Sequence, residues 1–486
     1  MKIAIFISEI MWTTHLGTGL EIIQKHLDAG DEAVSFVCNS FLGNCDQNLE
    51  GSKEICDLCI NKRKKGFSLL SKNIRNIEIN FVDKNYNYLK QEMALPALMK
   101  IKHKGFDAGI AAASSLISRK RDAYLSVSEN FELFNKLINK SSGLYDFFID
   151  KLQQEKPETV YVFNGRLVYD RALLRACEYL KIKYVIFDGA ADFDKYTLIE
   201  NAMIHDIVDF QKRANNLWEK SKRSEMDKEK MGEKFYLERR YGASKSRHFF
   251  VEGQQDNLLP EQWDDSLNNI VCFLSSEDEF AAIGDQWVMD VYKNQLDGLT
   301  KISDSLKEMP GSTRLYVRVH PNTLNTNPGF LKAVDALQSQ NVFIIPPASP
   351  VSTYTLMIKC NKVITFGSTT GIEATFWGKP SINLGKCFYM DMGVAYNPKN
   401  HQEVLELIQK KDLTALPKNN TIKYGYYFMD DGIEFKYYKP ADDRTGSFKK
   451  TDLHKYNLPL NKRIRENIKA AIPGTVINIY RSIRYN

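Results

Sequence analysis

The sequence predicts an α/β protein in two halves and a tail, the halves built on parallel sheets covered by helices. Short apolar runs alternate with helical patterns through the first half, and again from about residue 270. That rhythm gives strands covered by helices on both faces. The chain has 486 residues, enough for two or three domains. Several apolar runs of the second half end in Ser, His, Gly or Thr. In a parallel sheet these endings lie at the carboxyl ends of strands, where open α/β folds bind ligands.

In chain order, residues 2–8 read as a buried first strand, 17–27 as a helix closed by Gly30, and 33–38 as a second strand. Residues 77–82 form a third, 127–152 a long amphipathic helix, and 159–164 and 184–188 buried strands around a helix at 170–180. The stretch 211–247 is dense in charges of both signs and reads as a solvated helix or linker at a domain boundary. Strands then follow at 270–274, 315–319, 342–346, 362–366 and 381–384, with helices at 287–306, 328–337, 353–358 and 371–377. This divides the chain into domains at 1–235 and 245–425, and a basic tail at 426–486.

Hydrophobic residues make up 43%, charged residues 26%, and the net charge is only +6, which excludes disorder as the main state. A charge of that size suits phosphates and does not call for nucleic acid. The first run is short and broken by Glu9, unlike a signal peptide. No apolar run is long enough to span a bilayer, so a cytoplasmic protein is expected, at most peripheral on the inner face of the membrane.

The clearest chemistry lies at Gly367-Ser368-Thr369-Thr370-Gly371, between a strand and a helix. Glycine lets backbone approach a ligand, and the first N–H groups of a helix favour phosphate. Thr370 and Glu373 also match a capping box, which would occupy the same groups structurally. Arg318-Val319-His320-Pro321-Asn322 ends another strand, with His320 as a hydrogen-bond donor to phosphate or to a leaving group and Arg318 as a permanent charge. Ser275-Ser276 ends a third strand and precedes three acids, while Ser352 opens another helix. Each of these two also reads simply as a cap.

These segments, with Ser349 to Tyr354, Phe366 to Ser381 and Phe273 to Phe280, resemble the capsule and lipopolysaccharide biosynthesis glycosyltransferases. Asn164-Gly165-Arg166 and Thr14 to Glu21 fit the same pattern. The resemblance covers roughly residues 1–400 and implies a GT-B fold, two Rossmann-like domains with parallel sheets facing a central cleft, with a nucleotide-sugar donor in the C-terminal domain and a glycan or lipid-linked glycan acceptor in the N-terminal one. It implies that Ser275, Ser276, Arg318, His320, Asn322, Ser352, Ser368, Thr369 and Thr370 hold the donor, with Glu373 on its ribose or sugar. It also implies transfer without a catalytic metal. Similar elements occur in poly(glycerophosphate) transferases, so such a transferase, a sugar-nucleotide epimerase, or a non-catalytic nucleotide-sugar-binding assembly protein are the rival expectations.

A base for the acceptor hydroxyl should come from the first domain. His15 is placed for it, with Glu21 and Glu9 as alternatives, and Asn164, Arg166 and Asp188 at strand ends as acceptor contacts. Of eight cysteines, Cys38, Cys45, Cys56 and Cys59 fall in one short segment that includes a C-x-x-C pair. That spacing predicts a structural zinc site ahead of an iron–sulfur cluster. Lys62 to Lys65 nearby would favour thiolates. The basic tail suits an anionic membrane face or a helix packing back on the domains.

Overall fold

A computed structural model describes residues 1–242, 251, 253–308, 312–324, 326–442 and 444–454. The first sheet contains β1 (Lys2–Phe6), β2 (Glu32–Val37), β3 (Arg75–Glu78), β4 (Thr159–Phe163), β5 (Tyr184–Gly189) and β6 (Lys195–Glu200). Their spatial order is β6-β5-β4-β1-β2-β3. All neighbours run parallel except β5 and β6. The central strands β1 and β4 are apolar along nearly their whole length and buried on both faces. A sheet covered on both sides selects such runs in place of alternation. The helices Ala108–Lys120, Phe131–Glu155 and Val168–Leu180 cover one face, and Thr13–Asp28 covers the other.

The second sheet contains β7 (Asn268–Phe273), β8 (Thr313–Arg318), β9 (Val342–Ile345), β10 (Lys362–Thr365) and β11 (Ser381–Asn383), all parallel, in the order β11-β10-β7-β8-β9. Strand order reverses between β1 and β4 in the first sheet and between β7 and β10 in the second. The carboxyl ends of such pairs open a crevice, the usual ligand position in these folds. The two units form the expected GT-B arrangement of Rossmann-like sheets around a cleft.

The chain between the units departs from the linker reading. The helices Ile207–Lys220 and Glu225–Tyr241 pack on Asn419–Asp430. Phe210, Phe235, Tyr236, Tyr424 and Tyr427 lock together there with Phe376 and Tyr389 of the second unit. Most of the charges that suggested solvation lie on the outer faces of these helices, but Lys228 is buried and Arg239 turns inward. The helix expected from Trp287 starts later, at Gln295, where the Asn294 side chain accepts from the Asp297 N–H.

The region after 425 does not form a separate tail in its described part. Strand β12 (Ile433–Glu434) joins the first sheet beside β6. A small antiparallel sheet of β13 (Tyr438–Pro440), β14 (Gly446–Phe448) and β15 (Thr451–Asp452) then packs on helix Thr13–Asp28. The Tyr438 ring lies so close to Gly17 that a Cβ there would collide with it. The basic segment expected to touch a membrane, 461–486, lies outside the described residues. Among the described residues no helix is long and apolar enough to cross a membrane.

Candidate functional site

A cavity of about 540 Å³ opens between the two units. The first unit supplies Asn164, Asp188 and His205, helix Glu225–Tyr241 supplies Arg239, and the second unit supplies Ser275, Ser276, Glu279, Arg318, His320, Tyr354, Ser368, Thr369, Thr370 and Glu373. The ends of β7, β8 and β10 thus meet in one place, as the sequence predicted.

Gly367 turns the chain at the end of β10 with φ +88°, packed so closely on Lys386 that a Cβ would strike its carbonyl. Only glycine takes that conformation in that space without strain. The Tyr389 hydroxyl donates to the Ser368 carbonyl and holds the loop from beneath. The Thr370 hydroxyl donates to Ser368 Oγ at 2.9 Å. The helix that follows spans Thr370–Phe376, and its N-cap Thr369 makes no side-chain cap. The capping box therefore does not form. Its acid, Glu373, is 1% exposed and faces sideways: Oε1 accepts from Arg239 Nε at 2.9 Å, and Oε2 accepts from the Tyr354 hydroxyl at 2.5 Å. Arg239 also donates to Thr369 Oγ1 at 3.1 Å. Burial works against its charge, but the Glu373 carboxylate outweighs that and keeps the guanidinium above its ordinary range.

His320 Nδ1 accepts the Asn322 N–H at 3.1 Å. The ring is neutral, since burial and then Arg121, Arg318 and Arg239 lower its pKa to about 4. With Nδ1 accepting, the single proton sits on Nε2, so His320 is a neutral donor. Arg318 donates to the carbonyls of Pro346 at 2.7 Å and Ser349 at 3.1 Å, while its Nε is buried without a partner. Burial lowers its pKa to about 10, and no carboxylate among the described residues pairs with it. A buried cation compensated only by carbonyls is costly. An anion in the cavity relieves that cost.

Not every expected donor contact is on the wall. Ser275 lines the cavity but spends its hydroxyl on the Phe366 carbonyl at 3.0 Å, whereas Ser276 Oγ is buried and makes no hydrogen bond. Asn322 acts through its backbone on His320 and does not line the cavity. Ser352 caps helix Thr353–Lys359 and also stands off the wall, which corrects its assignment to the donor.

In the first unit, Asn164 Nδ2 donates to Asp188 Oδ2 at 2.7 Å, and both line the cavity. Arg166 is set back from the wall, its Nη1 3.4 Å from Ser114 Oγ. The expected bases are elsewhere. His15 packs on the Phe163 ring at 4.2 Å and places Nδ1 3.4 Å from Glu9, away from the cavity. Glu9 is itself held by Arg119 at 2.5 Å. Glu21 is fully buried and accepts the backbone N–H groups of Lys436, Tyr437 and Tyr438, so it fastens the returning chain and has no access to substrate.

The four clustered cysteines do converge, around a separate cavity of about 50 Å³. The metal site is not borne out, because no group of three or more His, Cys, Asp or Glu among the described residues is arranged to hold an ion. Three of the thiols are kept protonated: burial pushes Cys59 up to about 12 and raises Cys38 and Cys45 as well. Arg63 and Lys62 act against this but are outweighed by burial. Arg63 donates to the Cys38 carbonyl and Asn39, and Lys62 to the Met11 carbonyl and Thr13.

Arg239, Tyr354 and His205 were not foreseen from sequence. Arg239 lay inside the charged stretch read as solvated. Its signal was the pair Phe235 and Tyr236, which at i−4 and i−3 share its helix face and mark that face as buried. His205 follows β6, a strand the sequence pattern did not reveal.

Two Rossmann-like α/β units around a cleft lined by Arg239, Arg318 and His320 define a scaffold of the GT-B class. Residues 291–427 match the family described as capsule polysaccharide biosynthesis protein, which bears out the resemblance over the segment holding His320 and the Gly367 loop. No curated protein matches the chain. Among solved structures, the chain is similar to the KpsC beta Kdo 2,4 transferase of Thermosulfurimonas dismutans, at 14% identity over 56% of this chain and 80% of that one, with a TM-score of 0.36. It is also similar to S. aureus MnaA solved with UDP, at 13% identity, 89% and 91% coverage and a TM-score of 0.28. The UDP-GlcNAc 2-epimerase of Neisseria meningitidis bound to UDP-GlcNAc matches at 12% identity, 88% and 97% coverage and a TM-score of 0.29. Likeness at this level says nothing of substrate.

Proposed function

We propose that the protein is a glycosyltransferase of surface-polysaccharide assembly, moving a sugar from a nucleotide-sugar to a glycan or lipid-linked glycan acceptor on the cytoplasmic side of the membrane. The observation that carries this is the convergence of Arg239, Arg318, His320 and the Ser368–Thr370 loop at the ends of β7, β8 and β10. Glycosyl transfer breaks the bond between the anomeric carbon and a phosphate oxygen, and negative charge grows on that oxygen. Preorganised donors in a cavity away from water stabilise such charge without a metal. Here Arg239 and Arg318 supply permanent charge and His320 Nε2–H a neutral hydrogen bond. Glu373 orients Arg239 and stands close enough to the loop to meet a ribose or sugar hydroxyl. Asn164 and Asp188 face this site from the other unit and receive the acceptor.

The test is nucleotide release from UDP-, CMP-, GDP- and dTDP-sugars, with and without a surface glycan. A transferase releases nucleotide faster when glycan is present, and the sugar appears on the glycan. Isomerisation of a nucleotide-sugar with no glycan requirement would support an epimerase instead. Binding without turnover would support an assembly protein.

A further inference from the structure

We infer that His205 is the general base that takes the acceptor's proton, and that the transfer therefore inverts the anomeric centre. This rests on the transferase reading. His205 follows β6 and is the imidazole that the first unit places on the cavity wall among the described residues. Two contacts to the second unit fix its position: Trp287 Nε1 donates to the His205 carbonyl at 2.8 Å, and Gln286 Oε1 accepts the Ile207 N–H at 2.9 Å. The Trp287 ring stands edge-on to the imidazole, with centroids 6.5 Å apart. Backbone and ring are therefore held where the two units meet.

The side chain itself is uncommitted. Its Nδ1 is buried without a hydrogen bond, and no hydrogen bond of the ring is made among the described residues. A buried ring nitrogen without a partner is rare, and the usual reason is a missing ligand or a catalytic role. Two other imidazoles among the described residues are engaged elsewhere: His15 faces Glu9 off the cavity, and His320 spends Nδ1 on Asn322. Burial, with Arg166 and Arg171, keeps His205 neutral, so a lone pair is present at neutral pH.

The step balances simply. The acceptor hydroxyl gives its proton to His205, its oxygen bonds the anomeric carbon, and the bond from that carbon to the phosphate oxygen breaks with its electron pair. The nucleotide leaves toward His320 and Arg239, and His205 returns the proton to water. The base comes from the first unit and His320 from the second, both on the wall of one cavity, and attack from one side with departure to the other inverts the centre.

The test uses the full chain with the nucleotide-sugar panel above, with water as acceptor and then with sodium azide, a nucleophile that needs no base. His205→Gln and His205→Ala should keep donor-induced stabilisation and lose about 10²- to 10⁴-fold in the rate of nucleotide release. Azide should restore His205→Ala and give a glycosyl azide of inverted configuration. Release by His205→Gln within threefold of wild type, or a retained product configuration, overturns the assignment alone. If the wild type releases no nucleotide from any donor, the transferase reading falls and this assignment with it.

Discussion

Arg239 Nε donates to Glu373 Oε1 at 2.9 Å, a contact that, together with the one from Arg239 to Thr369, ties the helix before the second unit to the segment that follows β10. The carboxylate is 1% exposed and its other oxygen is taken by Tyr354, so the guanidinium is held in place before any ligand arrives. Breaking a buried pair by removing one partner costs about 3–5 kcal/mol, because the other charge is left uncompensated. Arg239→Ala should show a loss of that order in urea unfolding. The double variant Arg239→Ala/Glu373→Ala should lose less than the sum of the two singles, which a double-mutant cycle measures.

Gly367→Ala is expected to lower stability by at least about 1–3 kcal/mol, since alanine must adopt a positive φ against the Lys386 backbone. Ligand stabilisation should fall further, because any relief moves Ser368 and Thr369 off the cavity. Unfolding midpoints with and without nucleotide-sugar separate the two effects.

His320 gives a pH prediction with a definite sign. Its folded pKa is lowered to about 4, while an unfolded histidine titrates near 6.5. The unfolded state therefore binds the extra proton between those values, and stability falls as pH drops from about 6.5 toward 4. His320→Gln should show a smaller fall over that window in urea midpoints taken every half unit. Donor binding should stay level from pH 8 to 6, because the neutral ring already carries the Nε2 proton. A rise in affinity on protonation near pH 6.5 that is absent from His320→Gln would contradict the neutral-donor role.

Glu21→Ala should leave three backbone N–H groups of residues 436–438 without their acceptor. Each buried unsatisfied group costs about 1–3 kcal/mol. Hydrogen exchange should accelerate across 433–454 first, with nucleotide-sugar affinity unchanged. Retained exchange protection there would show that the carboxylate does not hold the segment.

How much of this was legible in the sequence follows from the reach of each signal. The strands of both sheets are short apolar runs with polar endings, a local pattern, and Ser276, His320 and the Gly367 loop were read from it and meet at the cavity. Pairings that join distant segments leave no such local mark. Glu21 looked like a base beside the first strand because its partners lie more than 400 residues further on. Ser352 and Ser368 share a residue type and a position before a helix, yet one caps and the other lines the cavity. Which occurs depends on how the helix meets the cleft. The cysteine spacing suggested chelation, but spacing does not reveal the burial that raises Cys38, Cys45 and Cys59 and outweighs Arg63 and Lys62 beside them.

The central claim is that the cavity holds a nucleotide-sugar on Arg239, Arg318, His320 and the Ser368–Thr370 loop. The most direct measurement is thermal stabilisation of the full chain by UDP-, CMP-, GDP- and dTDP-sugars, with His320→Ala alongside. At about a hundred times its dissociation constant, a bound donor adds about 2.7 kcal/mol. The account predicts that one nucleotide class stabilises the wild type by that order and that His320→Ala loses most of it. Equal stabilisation of both proteins, or none by any nucleotide-sugar, would contradict it.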